Sequence, residues 1–335
     1  MSIRRVNTSY IHSIDSNQTF GNIRSNYRNV SGGLGSPQFL ITPIGGSGAS
    51  VWTKPPYVNY IDIILVGGGG GGGSSIGGGG GGGAVTYIKK FFVGDTNTWY
   101  YYIGDGGTGG NVGNWDGSNT TLGAQGQSTF FSPTNTFGNG STTISSSNWN
   151  ASTANFQGIG NARVLISPGG GGGGPTGEHG FSFGSGGGSG SGTGTTDRGI
   201  FHPLASRTRT DSPSKYVHPG FGFQGGGGNT NSGGGGGSCK EFGSNSVSTT
   251  VGGNGANGVD LRYILGETFV NSSSAVASCI FGGGGGGAGS GSGGTGGLGG
   301  GGNAGSAGTQ NTGGGGGGGS GKGGSGIIII RENTG

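Results

Sequence analysis

The chain has 335 residues, of which 98 are glycine and only 8 % are charged, with a formal net charge of +4. Unbroken glycine runs and just 10 prolines exclude a collagen repeat, and the low charge excludes the common highly charged kind of disorder. Arg4, Arg5, Arg24 and Arg28 against Asp15 put most of the positive excess in the first fifty residues. That is not the basic stripe across a fold that nucleic-acid binding needs.

In chain order, residues 1–50 read as a polar attachment arm and 51–335 as a glycine-rich module. Residues 1–30 lack the apolar core of a signal peptide, and no run is apolar and long enough to span a membrane. From Val51 onward, short β-branched and aromatic bursts alternate with glycine tracts. "YIDIILV" (60–66) enters Gly67 to Gly73, a second tract runs Gly77 to Gly83, and "IKKFFV" (88–93) and "WYYYI" (99–103) follow. "STFF" (128–131), "ARVLISP" (162–168), "DLRYIL" (260–265), "SCIF" (278–281) and "IIIIRE" (327–332) are further strand-like runs. Sustained 3.6-residue periodicity is missing, so the expected fold is all-β with almost no helix.

Polyproline II explains the tracts. It has three residues per turn and a rise of ~3.1 Å, so seven residues match the length of a six-residue strand. Its backbone N–H and C=O groups all point outward. Strands without side chains can therefore bond to one another, and any β-carbon facing inward would force them apart. The tracts at 67–73, 77–83, 169–174, 225–228, 233–237, 282–287, 299–302 and 313–319 are expected to pack as a bundle of about eight strands beside a β-sandwich. Gly67, Gly70, Gly73, Gly77, Gly80, Gly83, Gly169, Gly282, Gly313 and Gly316 are its structural glycines. The alternative is a set of flexible linkers.

"VWTKPPYVNYIDIILVGGGGGGG" (51–73) resembles the opening of the glycine-rich domains of phage tail fibres and other virion proteins. "FFVGDTNTWYYYIGDGGTGG" (91–110), "GAQGQSTFF" (123–131) and the closing "GGSGIIIIRE" (323–332) are similar to their later segments. The layout is also similar to the glycine-rich domain of anaplastic lymphoma kinase and leukocyte tyrosine kinase, although those receptors have a signal peptide and more cysteines. Phage tail-tip adhesins of the T-even type share the stacked polyproline II layers. The resemblance implies a virion-located structural protein that binds other virion proteins in multiple copies. A tail fibre or tip protein would also meet a host-surface glycan or protein receptor. A minor capsid or capsid-fibre protein of a large DNA virus is the alternative, and an ice-binding protein is an alternative of another class.

Catalytic chemistry is not expected. "GGGGSGKGG" (316–324) resembles a phosphate-binding loop, but Gly323 stands where Ser or Thr is required and a strand follows. His12, His179, His202 and His218 lack metal-ligand spacing. No enzyme, cofactor or metal is therefore expected. Cys239 and Cys279 are the only cysteines, and the sequence leaves open whether they are bridged. The non-glycine insertions hold the binding candidates: Trp115, Trp149, Phe201, Arg207, Arg209 and Tyr216, aromatic and basic groups set among small polar residues. Trp115 and Trp149 could instead cap the edges of the β core.

Overall fold

The computed structural model describes residues 34–40, 50–111, 122–133, 136–137, 142–143, 165–180, 184–192, 222–265 and 279–333. Within them are strands β1 (Leu34–Leu40), β2 (Ser50–Thr53), β3 (Tyr60–Val66), β4 (Val85–Phe92), β5 (Thr98–Tyr102), β6 (Thr129–Ser132), β7 (Thr136–Phe137), β8 (Thr142–Thr143), β9 (Leu165–Ser167), β10 (Val259–Asp260), β11 (Ile280–Phe281) and β12 (Ile327–Asn333). One antiparallel sheet runs β1-β12-β3-β4 and a second runs β2-β5-β6-β9. The pairs β7-β8 and β10-β11 stand outside these two sheets. The all-β expectation holds.

Within the two central strands of the first sheet, residues 63–66 and 327–330 are apolar without interruption because both of their faces are covered. In register, Ile63 faces Ile330, Ile64 faces Ile329, Leu65 faces Ile328 and Val66 faces Ile327. Ile61, Ile63, Leu65, Ile328 and Ile330 point toward the second sheet and meet Trp52, Trp99 and Phe131. Trp99 and Phe131 stack at 4.8 Å with rings only 4° from parallel. Ile64, Val66, Ile327 and Ile329 point the other way, onto Leu261, Cys279 and Phe281. The four consecutive isoleucines thus serve two cores in alternation.

"DLRYIL" departs from the strand reading. Only Val259–Asp260 is strand, and Arg262–Leu265 forms one helical turn, α1. Asp260 causes the change: its carboxylate accepts the Arg262 backbone N–H at 3.0 Å, as an N-cap does, and also pairs with the Arg262 guanidinium.

The edge strand β4 carries a bulge. Its register with β3 shifts between Ile61 and Ile63, and Lys90 adopts φ 53°, uncommon outside glycine. The Lys90 backbone N–H is held by Asp62 Oδ1 at 2.9 Å. Lys89 and Lys90 are consequently both exposed, where an unbroken strand would alternate.

Candidate functional site

The glycine tracts are ordered. Tract 67–73 continues β3 and tract 77–83 leads into β4, so the two form the arms of one long hairpin. Gly67, Gly70 and Gly73 donate to Ala84, Gly81 and Gly78 at 2.9–3.0 Å. The arms are equally long because every third residue of one faces every third residue of the other. A turn through Ser74 to Ile76, with Ser75 at φ 57°, closes the hairpin.

The same period of three governs every direction around tract 67–73. Gly68 and Gly71 donate to Gln127 and Ala124, and Gly69 and Gly72 donate to Gly324 and Gly321. In return, Gly170 and Gly173 donate to the carbonyls of Gly68 and Gly71, Gly107 and Gly110 to those of Gly69 and Gly72, and Gly316 to that of Gly70. Three neighbours accept from the tract and three donate to it. The six also bond to each other in a closed ring, through pairs such as Gly126 N–H to Gly170 O and Gly80 N–H to Gly316 O. This is hexagonal packing of polyproline II strands, with a residue turned toward a different neighbour at each 120° step. Tract 282–287 has an equivalent shell: Gly283 and Gly286 donate to Gly299 and Gly302, Gly284 and Gly287 to Ala256 and Gly253, and Gly285 to Gly80.

Close packing explains why the residues are glycine. A β-carbon on Gly67, Gly70 or Gly73 would lie 2.1 Å from the carbonyl oxygen of Pro168, Gly171 or Gly174. On Gly80, Gly83, Gly169 and Gly316 it would lie 2.0–2.1 Å from a backbone oxygen, and on Gly77 2.5 Å. The obstacle is always backbone, which has no rotamer to yield. Gly282 and Gly313 differ, being left-handed at φ +73° and +68° where the chain turns into its tract. Tract 299–302 is only partly extended, because Gly299 and Gly300 both have φ +93° in a turn.

The bundle exceeds the glycine tracts. Segments 104–110, 123–127, 185–191, 252–258 and 294–297 also serve as strands. Their larger side chains lie on the outside: Gly123 and Gly126 are buried while Ala124 is exposed, and Gly252 and Gly258 are buried while Asn254 and Asn257 are exposed; only the small Ser185, Ser189, Ser191 and Ala256 are buried among them. Glycine at every third position was the readable signal for these members.

Asparagine closes the outer surface. Where an outermost N–H has no strand beyond it, an Asn side-chain carbonyl takes the place of the missing neighbour. Asn245 Oδ1 accepts from Gly227 N–H, Asn254 from Thr295, Asn257 from Leu298 and Asn303 from Gly296, all at 2.9–3.0 Å.

The module has two unlike ends. At one end a single row crosses the first sheet: Leu34 opposite Asn333, Asn333 opposite Tyr60, Tyr60 opposite Phe92. At the other lie short turns such as 74–76, 229–232 and 289–292. Buried hydroxyls secure the junction between sandwich and bundle. Thr129 Oγ1 donates to Val66 O at 2.6 Å and accepts from Gly104 N–H, and Ser167 Oγ donates to Ala84 O at 2.7 Å.

The six contact candidates Trp115, Trp149, Phe201, Arg207, Arg209 and Tyr216 lie outside the described residues, as do Arg4, Arg5, Arg24 and Arg28. Their anchors are visible. Segment 112–121 departs from and returns to the turn end, where Gly110 N–H meets Gly72 O and Gly123 N–H meets Gly173 O. Segment 134–164 joins the sandwich beside Ser132, opposite Tyr100. Segment 193–221 leaves beside Asn229, whose carbonyl accepts from Gly192, and the chain resumes where Phe223 O accepts from Gly186.

A shallow groove of about 210 Å³ is lined by Gly225, Phe242, Gly243 and Asn245. Among the described residues no three His, Cys, Asp or Glu side chains gather as metal ligands would, and no helix is long and apolar enough to cross a membrane. No disulfide joins Cys239 and Cys279. Burial pushes the Cys239 thiol up to about 11, and burial with a smaller effect of Asp260 also raises that of Cys279. A family model described as a glycine-rich domain matches residues 44–263. No curated protein matches the chain.

Proposed function

The chain belongs to the glycine-rich domain family, and on that footing we propose that it is a non-enzymatic structural protein of a virus particle. In this reading it is a tail-fibre or tip component, present in multiple copies, that docks by its N-terminal arm and holds the bundle outward toward a host receptor. The observation that carries the proposal is polarity. The residues before Leu34, with their four arginines, join the body at the sandwich end. The hydrogen-bonded bundle projects the opposite way and ends in turns.

Such a bundle suits a spacer or a rigid display platform. Its backbone groups are bonded laterally in every direction, so bending must break several bonds together. The attachment surface is separated from the turn end by the length of a strand plus a tract, about 40 Å.

The test is mass spectrometry of purified particles together with gold-labelled electron microscopy against this chain. Labelling at the tail or its tip supports the reading, labelling over the shell moves the protein to the capsid, and absence from particles overturns it. A chain starting at Leu34, which keeps β1 in its sheet, should fold with an unchanged β signal and fail to incorporate. Normal incorporation of that chain would move attachment to the module itself.

A further inference from the structure

We infer that the arm end of the sandwich is a docking face, built on Tyr57, Tyr60 and Phe92 with Lys89 and Lys90 beside them, and that it seats on a particle protein whose contact patch places carboxylates around an apolar centre. The inference rests on the attachment reading above.

Among the described residues, three large aromatic side chains are exposed at this end: Tyr57 by 65 %, Tyr60 by 45 % and Phe92 by 37 %. Tyr60 and Phe92 are register partners, and their rings lie 5.3 Å apart, tilted by 56°. Tyr57 stands three residues before Tyr60, in the turn that leads into β3. Rigid aromatic groups held on a sheet are the usual anchors of protein interfaces, because burying them costs little side-chain entropy.

The bulge supplies the charge. With Lys90 held at φ 53° by the Asp62 contact, two adjacent ammonium groups project from the edge strand. Neither has an ion-pair partner among the described residues. Asp95, on the loop after β4, is the exposed acid of this region among the described residues and has interactions of its own. Glu332 and Asp62 are buried.

Two observations identify the occupant. The arm segment, with four arginines against one aspartate, enters the body at Leu34, in the row that ends at Tyr60 and Phe92. A partner that takes the arm therefore meets this face as well, and meets the same charge sign on both. Lysines desolvated at a contact require opposite charge across it. A second copy using this face would set lysines against lysines, which disfavours self-association here.

The experiment uses intact particles that contain the full chain. A water-soluble carbodiimide, which joins amines directly to carboxylates, is applied and peptides are sequenced by mass spectrometry. Coupling of Lys89 or Lys90 to Asp or Glu of a different particle protein is expected. Hydroxyl-radical labelling of Tyr57, Tyr60 and Phe92 should be lost in particles relative to free protein, while Leu298 and Phe242 on the bundle keep theirs. The charge-reversed variant K89E/K90E, altered only at exposed positions, should fold normally and fall about tenfold in copies per particle.

If the chain is present but labelling at the three aromatics is unchanged, the docking face is overturned and the attachment reading survives. Coupling only to another copy of this chain, or protection without any carboxylate coupling, also overturns it. Absence of the chain from particles removes both.

Discussion

Replacing Gly70 by Ala inserts one β-carbon into the lattice and nothing else. That carbon would sit 2.1 Å from Gly171 O and 2.5 Å from Gly171 C, whereas real β-carbons keep at least 3.0 Å. Strand 168–174 must therefore retreat by about 0.9 Å. It is tied to tract 67–73 by Gly170 N–H to Gly68 O and Gly173 N–H to Gly71 O, both 2.8 Å. A retreat of that size stretches both bonds to about 3.7 Å, beyond hydrogen bonding. Losing two buried bonds at ~1 kcal/mol each, with overpacking of ~1–3 kcal/mol, gives a loss of roughly 3–5 kcal/mol. The opposing gain from stiffening the unfolded chain is only ~0.4–1 kcal/mol, so the clash decides the sign. By calorimetry the Tm should drop by about 5–10 °C. Gly291→Ala is the control, because its β-carbon would meet only the Thr250 side chain and carbonyl at 3.2–3.4 Å, and it should change Tm little. A Gly70→Ala Tm within error of the parent would refute close packing.

Phe131→Ala should destabilise by about 3–5 kcal/mol in chemical denaturation and alter the emission of Trp99, which loses its stacked partner. The double change Asn254→Ala and Asn257→Ala uncaps the N–H groups of Thr295 and Leu298; water replaces the lost carbonyls, so the expected cost is about 1–2 kcal/mol in total, read by Tm. Ellman's reagent should find two thiols in the unfolded chain and react slowly with the native one near pH 8, since burial holds the Cys239 thiol up to about 11. Burial, and then the charge of Asp105, pushes the Tyr102 hydroxyl up to about 12. The unfolded phenol ionises first, near its ordinary ~10, so this contribution to stability is intact below pH 10 and is lost as pH rises toward 12. Tyr102→Phe should flatten that alkaline decline, and an unchanged slope would contradict it.

The strands around "YIDIILV" and "IIIIRE" were legible because apolar runs of strand length between glycines have few other uses. The tracts were legible because seven bare glycines match a strand in polyproline II length. Segments 104–110, 123–127 and 252–258 were harder to read. Their outward positions carry Asp105, Thr108, Ala124, Asn254 or Asn257, and these side chains hide the lattice members from a search for glycine runs. The turn at Arg262–Leu265 was not legible because Leu261, Tyr263, Ile264 and Leu265 resemble a short apolar strand, while the deciding group is the Asp260 carboxylate. At the candidate docking face, Tyr60 and Phe92 lie 32 positions apart in the chain, and only strand register brings them together. Lys89 and Lys90 would alternate across an unbroken strand, so their joint exposure could not be read without the bulge.

The three-residue repeat also constrains how such a gene can change. Runs of identical glycine codons are prone to slippage during copying, and a single added or dropped codon looks harmless in so uniform a tract. Here it would turn the rest of the strand by 120° and reassign each later glycine to the wrong neighbour, until a turn absorbed the error. An insertion of three codons restores every direction and changes only the length. Tract lengths among relatives should therefore differ in steps of nine bases, in both arms of a hairpin such as 67–73 and 77–83 together.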